Sequence, residues 1–366
     1  MKILHVISGG ETGGSKNHVL SLFGGESDHP KKLLVFQKGK LYEEAVEMGI
    51  DVHLLEQRSR YDLSLFKNLK TFIQTNEIDI IHSHGARANL FIRIIKNGLS
   101  AKWAVTVHSD PDLDFMHNKK MSRLFSALNK WSLAKTDRIF AVSDRFKTML
   151  INYGIDDKKI VSIYNGISFD RKKVNGSRKS MNLKEEDFVA AIVARLHPVK
   201  GHSTLFKAIA SIKEKINLTV LIVGEGERKK ILLEQAKQLG IEEKLKFLGF
   251  RKDIDQIFSI SDVSLLTSKS ESFPLVLLES AREETTVITT DVGGVRSLIP
   301  DESYGWVIPI EDESALANAL VEAYQLKQNS QLEAKGKKLR AHAESNFSVE
   351  QLQESVEKEY RKILIT

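Results

Sequence analysis

The chain has 366 residues, of which 42% are hydrophobic and 28% are charged, with no cysteine and a formal net charge of +6. This length exceeds what one hydrophobic core usually holds, so we expect two domains, and the composition excludes an intrinsically disordered chain. The lack of cysteine excludes disulfides and thiolate metal sites, and the positive charge favours an anionic partner.

The N-terminal residues Met1 to Ser8 are apolar, but Gly9 and Gly10 interrupt them too early for a secretory signal. No segment approaches the roughly 20 apolar residues that a membrane-spanning helix needs. We therefore expect a cytoplasmic protein, and any membrane attachment is expected to be peripheral, on the inner face.

Short apolar segments rich in β-formers alternate with helical stretches from the first residue onwards. Each helical stretch is long enough for a crossover, which predicts parallel strands with helices on both faces. The predicted strands of the first half are Ile3 to Ile7, Lys32 to Phe36, Ile78 to His82, Trp103 to Val107, Arg138 to Val142 and Ile160 to Tyr164.

A polar and basic segment at 169–184 interrupts this alternation and is predicted to be a linker. The alternation then resumes, with predicted strands at Phe188 to Ala194, Leu218 to Val223, Leu245 to Leu248, Val263 to Leu266, Val287 to Thr290 and Trp306 to Ile308. The pattern predicts an α/β protein with two tandem doubly wound, Rossmann-like parallel sheets, over 1–168 and 185–345. We expect ligands in a cleft between the domains, and we expect a C-terminal helix at 346–366 to pack back on the first domain.

The segment from Ser268 to Glu284 contains a helix-start signal between two glutamates. Pro274 suits the first helical position, where a backbone N–H would have no intrahelical partner. The helix end would then offer amides and a positive dipole to an anion such as phosphate, beside Glu271. Glu279 lies further along the helix and would reach a second part of a long ligand such as a nucleotide diphosphate sugar. Taken alone, two solvated glutamates on a buried α/β unit are the commoner explanation.

Other residues predicted to lie at strand ends carry similar chemistry. Arg195 and Lys200 follow the first strand of the second half, where both could contact a diphosphate, although an isolated pair is more often solvated. Gly224 lies in a flexible turn, and Phe250 is either a neighbour of a nucleotide base or a core residue. The glycine-rich loop at 9–14 is not G-x-G-x-x-G, so a nicotinamide site is disfavoured, and a plain tight turn is as good an explanation as binding.

These motifs follow one another in a recognisable order. The second half contains R-L-H-P-V-K-G from Arg195, G-E-G from Gly224, F-L-G-F from Phe247, S-D-V-S-L-L-T-S from Ser261, E-S-F-P-L-V-L-L-E from Glu271 and D-V-G-G from Asp291. The first half contains G-G-S-K-N-H-V-L-S-L from Gly13, T-V-H-S from Thr106, A-V-S-D from Ala141 and Y-N-G-I from Tyr164. Together they resemble the retaining glycosyltransferases of family 4, which have the two-domain GT-B fold, and the resemblance covers nearly the whole chain.

The resemblance implies catalytic roles for four residues. Arg195 and Lys200 would neutralise the donor diphosphate as it leaves, and Glu271 would hold hydroxyls of the donor sugar. His108, at the end of a first-domain strand, would face that sugar. The family's reaction retains the anomeric configuration, with the leaving phosphate taking the acceptor proton.

The resemblance also implies the residues that bind the donor. Glu279 would accept from the ribose hydroxyls, Phe250 would lie beside the base, and Gly14 would let the first loop approach the sugar. The full donor-binding set is Gly14, Gly224, Phe250, Ser272, Phe273, Pro274, Leu275 and Glu279. Relatives often have glycine at the position of Ser272, but serine also caps a helix well. After Glu279 the chain lacks the small residues common in relatives, so we expect a locally altered turn.

Neither the D-x-D pairs nor the paired histidines indicate a metal site. Asp112 with Asp114, and Asp253 with Asp255, match D-x-D, but neither pair follows a strand in the required way. His82 and His84 would project on one side of a strand end, and no third ligand is apparent, so contact with the acceptor or a surface position is preferred. We therefore expect no metal and no cofactor besides the nucleotide-sugar donor.

The segment from His117 to Lys147 combines Lys and Arg with Phe125, Leu128 and Trp131. Such a basic amphipathic helix can lie on an anionic membrane surface, and packing on its own sheet is an equally good explanation.

The predicted function is transfer of a sugar from a nucleoside-diphosphate donor, with UDP favoured over GDP on family frequency, to a hydroxyl of a glycan or lipid-linked acceptor. Cell-surface polysaccharide or glycoconjugate synthesis is the expected setting, and no nucleic acid is expected as a partner. A nucleotide-sugar epimerase of the same architecture and a binding protein without turnover are the alternatives.

Overall fold

The structure is a computed structural model that describes residues 1–11, 13–24, 29–56, 63–108, 127–171 and 174–365. The chain divides into two compact units, each with its own sheet and core. One comprises Met1–Gly166 and Val349–Thr366, and the other comprises Ile167–Ser348.

A parallel sheet of 7 strands forms the centre of the first unit. The strands are β1 (Ile3–Ile7), β2 (Lys31–Val35), β3 (Val52–Leu54), β4 (Ile80–His84), β5 (Lys102–Val107), β6 (Arg138–Ala141) and β7 (Ile160–Ser162). The helices between them are α1 (Gly14–Ser21), α2 (Lys40–Glu47), α3 (Ser64–Thr75), α4 (Ala86–Ile95), α5 (described at 127–133) and α6 (Asp144–Asn152). The strand order is β3-β2-β1-β4-β5-β6-β7, so the winding reverses between β1 and β4.

Both faces of this sheet are covered, as the alternation along β1 shows. Leu4 and Val6 join the core cluster that contains α3 and α4, whereas Ile7 on the opposite face packs with residues of α1 and α2. Strands buried on both faces are typical of parallel sheets, and they explain why the strand segments are almost continuously apolar.

A second parallel sheet, with 6 strands, forms the other unit. The strands are β8 (Phe188–Val193), β9 (Leu218–Val223), β10 (Leu245–Gly249), β11 (Val263–Leu266), β12 (Thr286–Thr290) and β13 (Gly305–Ile308). The helices are α7 (His202–Ile212), α8 (Lys229–Leu239), α9 (Ile254–Ser259), α10 (Leu275–Arg282), α11 (Val295–Leu298), α12 (Glu313–Gln328) and α13 (Leu332–Phe347). The strand order is β10-β9-β8-β11-β12-β13, which reverses between β8 and β11.

The last helix, α14 (Val349–Ile365), belongs to the first unit. Leu352 and Val356 are buried in one cluster with Ile3 of β1. The Tyr360 hydroxyl lies 2.5 Å from Nδ1 of His82, and Glu359 accepts a hydrogen bond from Nε of Arg138 at 2.7 Å. The helix therefore contributes both apolar and polar contacts to the first core.

Residues 169–184, predicted as a linker, lie within the second unit. Phe169 and Leu183 are buried there, and Arg178 pairs with Asp262 at 3.0 Å. The segment was predicted to be a linker because it is polar and basic. In its described part, however, the basic side chain of Arg178 pairs with an acidic residue of the second unit.

The turn after α10 has an unusual backbone. Glu284 has a left-handed φ of 62°, a conformation in which glycine is favoured. A Cβ on Gly336 of α13 would lie 1.9 Å from the Glu284 carbonyl oxygen. The absence of a side chain at Gly336 lets α13 pack directly on this turn.

No helix in the described ranges is long and apolar enough to cross a membrane.

Candidate functional site

The predicted donor-binding residues of the second unit follow strands that are neighbours in its sheet. Arg195 and Lys200 follow β8, Gly224 follows β9, Phe250 follows β10, and Glu271 follows β11. Because these strands are parallel, their carboxyl ends meet at one edge, on both sides of the point where the winding reverses. Ligands of doubly wound sheets bind at such an edge.

Backbone hydrogen bonds join these loops to one another. Leu196 N–H donates to the Glu225 carbonyl at 2.9 Å, and Gly224 N–H donates to Gly249 at 2.8 Å. Lys269 N–H donates to Val199 at 2.7 Å. Main-chain hydrogen bonds therefore connect the loops that follow β8, β9, β10 and β11, and we call these four loops the platform.

Two glycines make this close approach possible. Gly201 has a φ of 70°, and a Cβ there would lie 1.8 Å from the carbonyl oxygen of Thr267. Gly224 has a φ of 135°, and its Cβ would lie 2.1 Å from the carbonyl oxygen of Ala194. Real Cβ atoms do not tolerate such distances, so both positions need glycine for packing as well as for conformation.

An ion pair lies at the centre of the platform. Lys200 Nζ donates to Oε1 of Glu271 at 2.5 Å, and the Ser268 hydroxyl donates to the same oxygen at 2.6 Å. The side chains of Lys200 and Glu271 are only 19% and 15% exposed. Neither contact uses Oε2 of Glu271, so that oxygen can accept from another group.

Arg195 differs from Lys200 in its surroundings. Its side chain is exposed, and among the described residues it has no hydrogen bond and no ion pair. The platform therefore presents one restrained cation and one unengaged cation, and only the second can reorient without first breaking a contact.

Helix α10 starts beside Glu271, one residue later than predicted. Pro274 is the N-cap and has an extended ψ of 100°, so Leu275 is the first helical residue. No described side chain caps the helix, and Ser272 does not act as the expected cap. Instead, the Ser272 carbonyl accepts from Gly294 N–H at 3.1 Å. The α10 amides are thus left for another partner.

The D-V-G-G motif, which begins at Asp291, packs against this loop. A Cβ on Gly293 would lie 2.2 Å from the carbonyl oxygen of Ser272, so the two segments touch through backbone. Phe273 is buried, with its ring centroid 5.3 Å from that of Phe347. Phe273 therefore anchors the loop in the core, and its ring is not available to a ligand.

Glu279 is half-buried on α10. Burial raises its pKa, with Asp255 adding to the shift and Arg282 and Arg171 opposing it. Arg282 also pairs with Asp255 at 2.6 Å, and Arg251 pairs with Asp253 at 2.6 Å. The D-x-D at 253–255 is thus engaged by arginines, while the Glu279 carboxylate has no hydrogen bond within the described residues.

Replacing Glu279 with glutamine should stabilise the protein at neutral pH. Because the folded-state pKa lies above the ordinary value of 4.5, the ionised carboxylate costs the folded state free energy that a neutral amide does not cost. The advantage of Glu279→Gln should be absent below pH 4.5, grow as the pH rises from 4.5 towards the folded-state pKa, and level off above that pKa. Unfolding of both proteins in denaturant at several pH values measures this difference in the free energy of unfolding.

The exposed Glu234 on α8 provides the matched control, since its carboxylate stays in water. Glu234→Gln should give no comparable gain. A Glu279→Gln variant that is less stable than the wild type at pH 7 would show that the carboxylate is a structural group after all.

Phe250 is 66% exposed, which excludes the alternative that it belongs to the core. It follows Gly249, whose φ is 67°, so the chain turns sharply at the end of β10. An exposed ring at the rim of this edge offers a flat apolar surface to a ligand.

The predicted residues of the first unit lie at the carboxyl ends of its central strands. Gly14 is the first residue of α1, and a Cβ there would have nothing within 4 Å. His108 follows β5, with its Nε2 3.3 Å from Nδ1 of His84, and burial lowers its pKa well below 6.5.

His82 and His84 are fully buried, so the predicted surface position is wrong. The parallel register places His5 of β1 opposite His82, and His5 Nδ1 lies 3.1 Å from Nε2 of His84. A third histidine is therefore present. His5 is visible in the sequence of β1, but its closeness to His82 and His84 depends on the pairing of β1 with β4, which the local sequence does not reveal.

The proposed membrane-binding segment is only partly described. Phe125 and the residues that precede it back to His117, together with Asp112 and Asp114, lie outside the described residues. Within the described part, Trp131 is exposed and stacks under Arg93, 4.0 Å from the guanidinium carbon to the ring centroid.

Tandem parallel sheets with these strand orders define the GT-B class of glycosyltransferase fold. Two family models match the chain, one described as Glycosyltransferase Family 4 over residues 13–171 and the other as Glycosyl transferases group 1 over residues 174–339. The chain belongs to glycosyltransferase family 4, and that membership supports transferase activity.

Two relatives and one solved protein illustrate the similarity. The N-acetyl-alpha-D-glucosaminyl L-malate synthase of Bacillus anthracis is 24% identical, over 90% of this chain and 87% of its own length. The UDP-Gal:alpha-D-GlcNAc-diphosphoundecaprenol alpha-1,3-galactosyltransferase of Escherichia coli is 28% identical over 71% of each chain. The crystal structure of Anabaena HepE in complex with UDP has a TM-score of 0.87 at 22% identity, covering 99% of this chain and 100% of that one, and HepE is also solved with UDP-glucose.

Proposed function

We propose that the protein transfers a hexosyl group from a UDP-sugar to a hydroxyl of a glycan or lipid-linked acceptor, with retention of anomeric configuration. One observation carries the proposal: Arg195, Lys200, Glu271 and the uncapped start of α10 gather at the carboxyl edge of the second sheet. The second unit would bind the nucleotide sugar, and the first would bind the acceptor.

In this proposal the diphosphate lies between the two cations and the α10 amides. Cleavage of the anomeric bond places negative charge on the leaving diphosphate, and fixed positive groups stabilise charge where it develops. Exposed Arg195 is free to close on the phosphates. Lys200 is already positioned by Glu271, so little reorganisation accompanies the reaction.

Glu271 would have two tasks. Its Oε1 holds Lys200 and Ser268, which leaves Oε2 to accept from a hydroxyl of the donor sugar. The half-buried Glu279 would accept from the ribose hydroxyls, with Gly224 and the Leu275 amide beside the phosphates. His108 and Gly14 of the first unit would approach the sugar, and the leaving phosphate would take the acceptor proton.

The donor and acceptor classes rest on the relatives. HepE was crystallised with UDP and with UDP-glucose, and the Escherichia coli relative uses a UDP-sugar and a diphosphoundecaprenol-linked acceptor by its name. A lipid-linked acceptor fits work at the inner face of the membrane, in cell-surface polysaccharide or glycoconjugate synthesis. The net charge of +6 fits peripheral contact with anionic lipid.

A donor screen tests the function. The protein is incubated with a panel of UDP- and GDP-sugars, with and without glycan and lipid-linked acceptors, and free nucleotide is measured. We expect UDP release that depends on acceptor and survives EDTA, because the proposed stabilisation needs no metal. Interconversion of sugars without UDP release would indicate an epimerase, and binding without either reaction would indicate a protein that has lost turnover.

Replacing Phe250 with alanine should weaken donor binding and leave the chemical step nearly unchanged. Stacking of a base on an aromatic ring is worth about 1–3 kcal/mol, so KM for the donor should rise roughly 5- to 150-fold with kcat within about twofold. Initial rates at varied donor concentration measure this. Ile231→Ala, which removes an exposed apolar side chain of α8 in the same unit, should leave KM unchanged. Equal KM values for both variants would place the base elsewhere.

A further inference from the structure

A cluster of histidines lies inside the first unit. Its members come from neighbouring elements and are His5 of β1, His18 of α1, His82 and His84 of β4, and His108 after β5. The first four of these are almost completely buried. Polar side chains that are buried this deeply normally have hydrogen-bond partners, so a ring nitrogen of the cluster without a partner requires an explanation.

Both ring nitrogens of His82 have hydrogen-bond partners within the fold. Its Nδ1 lies 2.5 Å from the Tyr360 hydroxyl, and its Nε2 lies 2.7 Å from the Thr106 hydroxyl. A metal bound by His5, His82 and His84 would have to break one of these contacts. The structure therefore disfavours that group as a site, although the three side chains are close enough.

His18 is less completely paired. Neither of its nitrogens has a partner that meets hydrogen-bond geometry in the described part of the chain, and the Asn165 side chain, whose Oδ1 is also unpartnered, is the neighbouring hydrogen-bonding group that raises its pKa against the larger effect of burial. Its ring centroid lies 4.6 Å from that of His108 and 5.8 Å from that of His84. One nitrogen from each of these three rings falls within 4.8 Å of the others.

The spacing between His84 and His108 suits a shared metal ion. Their nearest nitrogens, Nδ1 of His84 and Nε2 of His108, are 3.3 Å apart and within hydrogen-bond distance, and a bound metal ion would replace that one contact. Two imidazole nitrogens at about 2.0–2.1 Å from Zn²⁺ with a tetrahedral angle would be about 3.3–3.4 Å apart. His84 Nε2 faces Nδ1 of His5 at 3.1 Å, and an outer N–H contact of this kind orients most metal-binding histidines.

We propose that His18, His84 and His108 form a binding site for a late divalent transition-metal ion such as Zn²⁺, with His5 as the outer partner of His84. Imidazole ligands favour Zn²⁺, Cu²⁺ and Ni²⁺ over Mg²⁺ or Ca²⁺. Three histidines leave a fourth position for water or a small ligand. The proposed transfer chemistry itself uses no metal, although one of these ligands, His108, is also proposed to face the donor sugar.

Zinc titration of the EDTA-treated full chain against a chromophoric chelator tests the site. The wild type should bind one Zn²⁺, and His18→Ala should weaken that binding by more than the roughly 10- to 100-fold that loss of an outer partner costs. His5→Ala should fall within that 10- to 100-fold range. If His18→Ala does not fold, His18→Gln takes its place, and Co²⁺ absorption of the wild type reports tetrahedral ligation directly.

His202 of α7 supplies the matched control, because it too is buried with both nitrogens unpartnered, but no other histidine of the described chain groups with it. His202→Ala should bind Zn²⁺ as the wild type does. Wild-type protein that binds no Zn²⁺, or a folded His18 variant that binds it undiminished, would overturn the proposal.

One further readout rests on the proposed donor role of His108. Zn²⁺ held by this histidine would withdraw it from the sugar, so Zn²⁺ should inhibit UDP release by the wild type. The ratio of rates with and without Zn²⁺ should be closer to one in His18→Ala. If Zn²⁺ binds at His18 without inhibition, the metal site stands and the role assigned to His108 fails.

Discussion

Lys200→Ala is expected to lower kcat/KM for the donor about 10²- to 10³-fold, the usual scale for losing one preorganised charge contact in an active site. The substitution removes the cation next to the leaving diphosphate and leaves Glu271 with Ser268 as its remaining partner. Glu271→Ala should cause a loss of similar size, because it removes both the sugar contact and the group that positions Lys200. Initial rates of acceptor-dependent UDP release measure both effects.

Lys207 provides a matched control on α7. It also pairs with a glutamate, Glu313 at 3.3 Å, but both side chains are about half exposed and lie in solvent. Exposed pairs contribute little, so Lys207→Ala should keep wild-type turnover. If Lys200→Ala and Glu271→Ala both retain wild-type turnover, the proposed site is wrong, even if the protein proves to be a transferase.

Gly201→Ala is expected to destabilise the second unit severely and to abolish most turnover. The new methyl group would lie 1.8 Å from the Thr267 carbonyl oxygen and 2.8 Å from its carbon, and neither is a flexible side-chain end. We expect the free energy of unfolding to fall by more than about 4 kcal/mol, a loss that single substitutions reach only through such defects. Denaturant unfolding monitored by circular dichroism gives the value.

Gly240 separates the clash from the backbone conformation. It has a similar φ of 61°, but the nearest atom to its Cβ is the mobile end of Lys213 at 3.3 Å. Gly240→Ala should therefore cost only the ~1–3 kcal/mol of left-handed strain. A Gly201→Ala variant that loses no more stability than Gly240→Ala would mean that the β8 and β11 loops can separate easily.

The strands could be predicted from the sequence because parallel strands buried on both faces are nearly continuous apolar segments. Each predicted strand has a counterpart within two residues at either end. The strand that was missed, β3, has three residues, lies at the edge of its sheet and is only half-buried. An edge strand of this kind has neither the length nor the apolar content that made the others visible.

The site could be predicted as a set of residues, but not as a set of contacts. Arg195, Lys200 and Glu271 were recognisable through motif order, yet the Lys200–Glu271 ion pair depends on β8 and β11 being neighbours. Whether Phe250 was exposed or buried could not be read from one aromatic residue in a short motif. Ser272 was expected to cap α10, but it lies two residues before the N-cap, Pro274, and therefore does not occupy the capping position.

Helix α14 has a consequence for how the protein is made. The ribosome synthesises these 17 residues only after the whole of the second unit, although they complete the core around Ile3 and Phe140. Domains usually fold from the N-terminus as they emerge. Here the contiguous second unit can finish first, while the earlier-made sheet waits with an open apolar face, so chaperone binding during translation should concentrate on the N-terminal half of the nascent chain.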